Sequence, residues 1–144
     1  EMTMSESATP SLNVPQSVLD AIGKHAIACY PEEACGLLVG AGATNTVLEF
    51  HATENVARSA RVYTINPKQH MVIDRDAEDR GLEVVGVVHS HTHTEAYPSS
   101  TDVAQAPDPT WHYMIVTLKR GVPEPRNFRI INGVITETPI NSHN

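Results

Sequence analysis

The fold of this 144-residue chain is most clearly indicated by residues 83–102, EVVGVVHSHTHTEAYPSSTD. The first nine of these residues, 83–91, form an almost continuous β-branched run, which is typical of a strand in the middle of a sheet. Further on, SSTD matches a helix capping box, with Ser99 at the N-cap and an acid three positions later. We therefore predict a central strand, a loop to Pro98 and a short helix over 100–106.

The sequence on either side predicts further helices and strands. Pro15 suits the first position of a helix that runs to Tyr30, and Pro67 begins a second helix that ends at Gly81. Asn132-Gly133 between two apolar runs is a strong hairpin signal. Apolar runs predict strands over 34–39, 46–51, 62–65, 112–118, 128–131 and 134–138. This order predicts one α/β domain, with a mixed, mainly antiparallel sheet flanked by helices.

Length and composition suit a single soluble domain. The net charge of −7 argues against binding to nucleic acid or to an anionic membrane, and no apolar run is long enough to cross a bilayer. Residues 1–12 lack the features of a secretory signal, so we expect a disordered or vector-derived tail before a folded domain over 13–141. Cys29 and Cys35 form no CxxC pattern, and we expect reduced core thiols in a cytoplasmic protein.

Two histidines at the end of the predicted central strand indicate a metal site. Residues i and i+2 of a strand point to one face, about 6.6 Å apart, so the imidazoles of His89 and His91 can converge on one ion. An ordinary polar strand end would explain one histidine. A His-x-His pair directly after VVGVV is better explained by metal binding.

Asp102 is the natural third ligand. A carboxylate in the first turn of a helix is favoured by the helix dipole, so capping alone would explain this residue if it stood by itself. Because Asp102 follows two aligned histidines and a loop that returns the chain toward them, we interpret Asp102 as a zinc ligand. Two histidines and one carboxylate leave the fourth position of a tetrahedral zinc ion open, which is typical of catalytic sites.

A zinc hydrolase also needs a general base, and the residues alone leave four candidates. These are Glu32, Glu33, Glu95 and Asp108. The two adjacent glutamates are notable because they enter a buried strand, where a carboxylate is costly without a purpose.

These residues together resemble the signature of the JAMM (MPN+) metalloproteases. That signature is a Glu, then His-x-His, seven residues, Ser, two residues and Asp. Here Glu33, His89-Ser90-His91, Ser99 and Asp102 fill every position at the expected spacing, and the similarity runs from about Val14 to Ile140. The resemblance implies a JAMM/MPN-like fold over the catalytic domain 13–141.

The resemblance also implies a role for each residue of the signature. His89, His91 and Asp102 would bind Zn2+, and Glu33 would activate water and then protonate the leaving amine. Ser99 would donate a hydrogen bond to the oxyanion of the tetrahedral intermediate. Capping is a rival role for Ser99, and both roles would hold if Ser100 capped the helix instead.

Within this family the chain is most similar to bacterial hydrolases of CysO-type sulfur-carrier protein–cysteine adducts. The resemblance lies in TEAYPSSTD, in Thr92 where many JAMM deubiquitinases have Pro, and in WHYMIVT and FRIINGVITETPI. It implies release of cysteine from the Gly-Gly-Cys tail of a small ubiquitin-like carrier, in thiocarboxylate-dependent cysteine biosynthesis. The alternatives are a deubiquitinase-like isopeptidase acting on a ubiquitin-like modifier and, with less support, a non-catalytic MPN scaffold.

Several residues around the site keep two interpretations. We expect His93 to be a loop residue near the substrate rather than a fourth ligand. Arg58 and Arg61 would meet an acidic carrier or the carboxylate of the product, or would simply be solvated loop charges. The substrate tail would lie along an exposed strand edge, supplied by residues 46–51 or by the loop over 55–61.

Overall fold

The computed structural model describes residues 11–106 and 108–143, over which strands and helices form one α/β domain. The helices are α1 Gln16–Cys29, α2 Pro67–Asp79 and α3 Ser100–Ala104. The strands are β1 Leu12–Pro15, β2 Cys35–Ala41, β3 Thr46–Thr53, β4 Glu83–His91, β5 His112–Thr117, β6 Glu124–Ile131, β7 Val134–Thr138 and β8 Ile140–His143. Within these described ranges, no helix is both long enough and apolar enough to cross a membrane.

The strands form one mixed sheet in the order β7-β6-β5-β4-β2-β3-β1-β8. The pairs β6–β7, β5–β6, β2–β4 and β2–β3 are antiparallel. The pairs β4–β5, β1–β3 and β1–β8 are parallel. The predicted mixed sheet with more antiparallel than parallel pairing is therefore confirmed.

Strand β4 lies in the middle of the sheet, between β2 and β5, and its residues after Glu83 are buried. At Gly86 the parallel partner comes so close that a Cβ would lie 2.4 Å from the carbonyl oxygen of His112, so this position needs glycine. A register shift against β2 also occurs here, and Val84 and Val87 pack in the same core cluster. The shift sets the alternation of side chains for the rest of the strand, which carries the two histidines.

The sheet has an apolar core on each face. Helix α1 covers one face, and Ala77 of α2 packs on the other. The first cluster contains Leu12, Val14, Val18, Ile22, Ala26, Leu38, Val47, Val85, Val88, Met114 and Val116. The second contains Cys35, Leu37, Val39, Tyr63, Ala77, Val84, Val87, Tyr113 and Ile130. Burial of each large aliphatic side chain stabilises the fold by about 1.5–3 kcal/mol, and β4 contributes to both clusters.

Most predicted elements are confirmed with small changes at their ends, but one predicted strand is wrong. The Asn132-Gly133 hairpin has φ angles of 51° and 77°, as a type I′ turn requires. Residues 62–65 form no strand, and only a single bridge joins Asn55 to Ile65. The Asn55 side chain accepts from the backbone N–H of Thr64 and donates to the carbonyl of Val62, so it provides the hydrogen bonds that a neighbouring strand would make.

Two short strands at the ends of the domain were not predicted. Strands β1 and β8 pair in parallel, with Leu12 beside Ile140, and the side chains of Leu12 and Val14 are fully buried. Leu12, which falls within the predicted tail, thus lies in β1 and in the apolar core. Residues 1–10 of the predicted tail lie outside the described residues.

His112 is a buried histidine away from the central site. Its Nδ1 accepts from the amide of Asn127 at 2.9 Å, and its Nε2–H donates to Oδ1 of Asn45 at 3.1 Å. This arrangement holds the neutral imidazole. Burial lowers the pKa of His112 to about 4, and the nearby charge of Arg129 acts in the same direction.

We expect this histidine to make the fold less stable in acid. Between pH 6.5 and 4 the unfolded chain binds a proton at His112 that the folded chain does not, so the free energy of unfolding falls as pH falls. The free energy of unfolding should be lower at pH 4.5 than at pH 7 by on the order of 2–3 kcal/mol from this residue. Urea unfolding at pH 7 and 4.5 would measure it for the wild type, for His112→Gln and for His143→Gln, an exposed control. His112→Gln should show a smaller pH dependence, and an unchanged dependence would contradict this account.

Candidate metal centre

Three buried side chains converge where β4 ends and α3 begins. His91 is the last residue of β4 and His89 precedes it by two positions, while Asp102 lies in the first turn of α3. The Nε2 atoms of His89 and His91 are 3.2 Å apart. Oδ1 of Asp102 lies 3.2 Å from Nε2 of His89, and Oδ2 of Asp102 lies 3.0 Å from Nε2 of His91. The predicted ligand residues are therefore brought together as one group of donor atoms.

The spacing of these donors fits a tetrahedral zinc ion. Ligand atoms about 2.0–2.1 Å from zinc lie about 3.3 Å from one another, close to the 3.2 Å between the two Nε2 atoms. One donor atom from each of the three residues lies within 4.8 Å of the other two. Imidazole nitrogens together with a carboxylate are also a donor set that zinc prefers. His93 is not part of the group: it is exposed, and its Nε2 lies 3.3 Å from the hydroxyl of Tyr30. Two histidines and one carboxylate are thus the donors available here.

The charges of the three groups depend on one another. Burial lowers the pKa of His89. Burial also opposes a charge on His91, but the hydrogen bond to the Asp102 carboxylate raises its pKa. Burial likewise opposes a charge on Asp102, yet hydrogen bonds with the two imidazoles hold the pKa of this carboxyl well below its usual range. Asp102 is therefore an anion at neutral pH, which is the form that binds a cation.

Neighbouring groups orient the two imidazoles. Nδ1–H of His91 donates to the carbonyl oxygen of Glu95 at 2.7 Å, which leaves the lone pair of Nε2 directed at the other donors. The ring of His89 stacks on that of Tyr63, with centroids 4.3 Å apart and planes 19° from parallel. No sequence pattern predicts Tyr63 or the Glu95 carbonyl at the site, because loops bring both residues to it.

A set of ion pairs fixes the loop that carries this carbonyl. The guanidinium of Arg120 donates to both carboxylate oxygens of Glu95, at 2.8 and 2.7 Å, and Lys119 lies 3.4 Å away. The hydroxyl of Thr117 also donates to the carbonyl of Thr94 at 2.6 Å. The turn between β5 and β6 therefore holds the loop beside His91.

The same ion pairs make Glu95 a poor general base. The hydrogen bonds from Arg120 and Lys119 lower its pKa to about 2. Asp108 accepts from the backbone and hydroxyl of Thr110, and Glu32 is exposed. None of these three carboxylates lines the cleft described below.

Glu33 differs from the other candidate bases because it is buried. Only 4% of the residue is exposed, and its Oε1 has no hydrogen-bond partner among the described residues. Burial raises its pKa to about 7, although the charge of His91 opposes this change. With Ser99 and His91 it lines an open cleft of about 590 Å³. A carboxylate with this pKa can exchange a proton at neutral pH.

Backbone contacts connect Glu33 with the histidines. The hydroxyl of Ser90 accepts from the backbone N–H of Ala34 at 2.7 Å, and the N–H of Ser90 donates to the Ala34 carbonyl at 3.0 Å. The N–H of Glu33 donates to the carbonyl of Ser59, and its own carbonyl accepts from the amide of Asn55. The residue between the two histidines thus fixes the segment that carries Glu33.

Ser99 caps helix α3, as its sequence predicts. Its hydroxyl oxygen accepts from the N–H of Asp102 at 3.1 Å, and the Asp102 carboxylate accepts from the N–H of Ser99 at 2.9 Å. The alternative in which Ser100 caps the helix is not observed, because Ser99 is the N-cap and Ser100 is the first residue of α3. The cap uses a lone pair of the hydroxyl oxygen, so the hydroxyl hydrogen stays available to donate into the cleft.

The chain is similar in sequence and in fold to known proteins. Residues 15–131 match the family model for prokaryotic homologues of the JAB domain. The chain is 35% identical over 131 residues to the CysO-cysteine peptidase of Mycobacterium tuberculosis, which covers 90% of each protein. It is 37% identical over 86 residues to the desampylase of Haloferax volcanii, covering 59% of this chain and 62% of that protein. A JAB1/MPN domain protein of Archaeoglobus fulgidus shares the fold, with a TM-score of 0.61 and 19% identity over 90% of this chain and 98% of its own.

The match to this family and the two relatives with named activities define the chain as an enzyme, a JAMM-type hydrolase. In particular, it belongs to the family of prokaryotic homologues of the JAB domain. The JAMM/MPN-like fold implied by the sequence is therefore confirmed. The relatives with named activities are peptidases and desampylases, which supports an enzyme over a non-catalytic scaffold.

We expect Arg120 to affect metal binding although it lies outside the donor set. Arg120→Gln releases the carboxylate of Glu95 and loosens the carbonyl that orients His91, so the affinity for Zn2+ should fall about threefold to tenfold. Competition with a chelator would measure the affinity for Zn2+. Arg80→Gln is the matched control, because Arg80 binds Glu49 just as closely, at 2.7 and 2.7 Å, away from the donor set. Equal losses of affinity in the two variants would contradict this role.

Proposed function

We propose that this enzyme is a zinc-dependent peptidase that cuts the C-terminal Gly–Cys amide bond of a small ubiquitin-like sulfur-carrier protein. It would release cysteine in thiocarboxylate-dependent cysteine biosynthesis, in the cytoplasm. The observation that carries the proposal is the buried carboxylate of Glu33, which has an oxygen without a hydrogen-bond partner among the described residues and lines a cleft with His91. A buried acid in such a place is costly unless it handles a proton.

In this proposal His89, His91 and Asp102 hold Zn2+. When bound, the ion supplies a Lewis acid that polarises the scissile carbonyl and makes water more acidic. The ionised carboxylate of Asp102 provides the negative charge of the donor set. The absence of His93 from that set is consistent with a fourth position left open to water and substrate.

Glu33 and Ser99 would perform the proton transfer and the charge stabilisation. With a pKa of about 7, Glu33 takes a proton from the attacking water and then gives it to the departing amine of cysteine. The free hydroxyl hydrogen of Ser99 donates to the oxygen of the scissile carbonyl as negative charge develops there. Loss of one such donor costs about 2.7–4 kcal/mol of barrier stabilisation in other hydrolases.

The cleft suits an extended peptide tail. Its walls include Ala60, Arg61, Thr92, His93 and Thr94. Of the two edges considered from the sequence, the loop over 55–61 is the better candidate to guide the tail, because two of its residues line this cleft. The CysO-cysteine peptidase matches 90% of this chain, and its name supports a carrier–cysteine adduct as substrate.

We expect Glu33→Gln to abolish turnover while zinc stays bound. The amide cannot exchange a proton, so cleavage of a carrier that ends in Gly-Gly-Cys should fall at least about a thousandfold, as followed by intact mass. Glu32→Gln is the matched control, since Glu32 is the exposed neighbour and another candidate base. Unchanged turnover in Glu33→Gln, or an equal loss in Glu32→Gln, would argue against Glu33 as the base.

The similarity to a desampylase favours a second candidate, an isopeptidase that acts on a ubiquitin-like modifier joined to lysine. A competition between a carrier–cysteine adduct and the same carrier joined to a lysine side chain separates the two functions. We expect the cysteine adduct to have the higher kcat/KM. Faster cleavage of the lysine conjugate would instead support the isopeptidase.

A further inference from the structure

We propose that Arg61 binds the α-carboxylate of the residue that the enzyme releases, and so makes the enzyme selective for a leaving residue with a free carboxylate. This inference rests on the proposed function. It adds a specificity-determining residue to that function, and it predicts which chemical group beyond the scissile bond is recognised.

The loop that carries Arg61 contacts both sides of the cleft. The carbonyl of Ser59 accepts from the N–H of Glu33 at 2.8 Å, and the carbonyl of Ala60 accepts from the hydroxyl of Thr92 at 3.4 Å. Arg61 follows directly and lines the cleft together with Glu33. Its side chain therefore starts beside both the proposed base and the segment that follows the second histidine ligand.

Hydrogen bonds from two polar side chains fix the backbone of this loop. The hydroxyl oxygen of Ser59 accepts from the N–H groups of Arg61 and Val62, at 3.0 and 3.3 Å. The side chain of the buried Asn55 accepts from the N–H of Ala57 at 3.0 Å and donates to the carbonyl of Val62 at 3.1 Å. The backbone at Arg61 is thus held in place, so a ligand has to order only the side chain of Arg61.

Arg61 is charged and exposed, and no carboxylate among the described residues lies within 4.0 Å of its guanidinium. Arg58 and Arg120 are each paired with a carboxylate, that of Glu54 and that of Glu95. Arg75 and Arg129 have no such partner among the described residues either, but they do not line the cleft. The side chain of Arg61 makes no hydrogen bond to these described residues either. In a chain with a net charge of −7, an arginine without an acidic partner beside the cleft is suited to an anion from the substrate.

The chemistry of the leaving residue provides that anion. Cysteine released from the end of a carrier has its α-carboxylate two bonds from the departing nitrogen, and arginine binds carboxylates with two parallel hydrogen bonds. A lysine side chain released from an isopeptide bond has only methylene groups at the same distance. Arg61 would therefore favour the terminal amino acid over the isopeptide.

The test compares two substrates that differ only in this charge. One is a carrier that ends in Gly-Gly-Cys, and the other ends in Gly-Gly-cysteinamide. For the zinc-loaded wild type we expect kcat/KM to be about tenfold to a hundredfold higher for the free acid. Arg61→Gln should lose this preference by slowing cleavage of the acid alone, and Arg61→Lys should restore part of it. Arg75→Gln is the matched control and should behave like the wild type, because Arg75 is exposed on α2 and does not line the cleft.

Retained cleavage of the amide by Arg61→Gln would show that this variant is folded and loaded with metal. Equal cleavage of the two substrates by the wild type would overturn the inference and leave the proposed function standing, and so would an equal loss on both substrates in Arg61→Gln. Failure of the wild type to cleave either substrate would overturn the proposed function, and this inference with it.

Discussion

The site depends on the close approach of His89, His91 and Asp102. The fold buries these three polar side chains with one donor atom of each within 4.8 Å of the others. Burial lowers the pKa of His89, whereas the hydrogen bond to Asp102 raises the pKa of His91 against the effect of burial. The carboxylate stays ionised because both imidazoles face it. Such a set is costly to bury unless a cation joins it. Much of the surrounding structure can be understood as the means of holding these donors in place: the central position of β4, its shift beside Gly86, and the capping box of α3.

The same arrangement gives the chain two neighbouring carboxylates with opposite behaviour, Asp102 in the donor group and Glu33 in the cleft. Asp102 has imidazole partners that keep it anionic, whereas Glu33 is buried without such a partner and has a pKa of about 7. One acid is therefore suited to bind a cation and the other to carry a proton. Ser90 connects the two functions, because it lies between the ligand histidines and bonds to the backbone next to Glu33.

The parts of the structure that local sequence determines were predictable, and the parts that depend on loops were not. Strand β4, the hairpin at Asn132-Gly133 and the capping box of Ser99 and Asp102 follow from short patterns, and they include four of the five signature residues. The choice of Glu33 over the other acids needed either the family resemblance or the structure, because burial and pairing are tertiary properties. The orienting carbonyl of Glu95 and the ring of Tyr63 left no sequence signal, and strand β1 was missed because its partner β8 is more than a hundred residues away.

X-ray absorption spectroscopy of the zinc-loaded protein would test the proposed donor set, because it counts and identifies the atoms around the metal. We predict two imidazole nitrogens at about 2.0–2.1 Å, with oxygen atoms in the remaining positions. The spectrum should be unchanged in His93→Ala. A third imidazole, a thiolate at about 2.3 Å or a spectrum unaffected by loss of His91 would contradict the proposed open site of His89, His91 and Asp102.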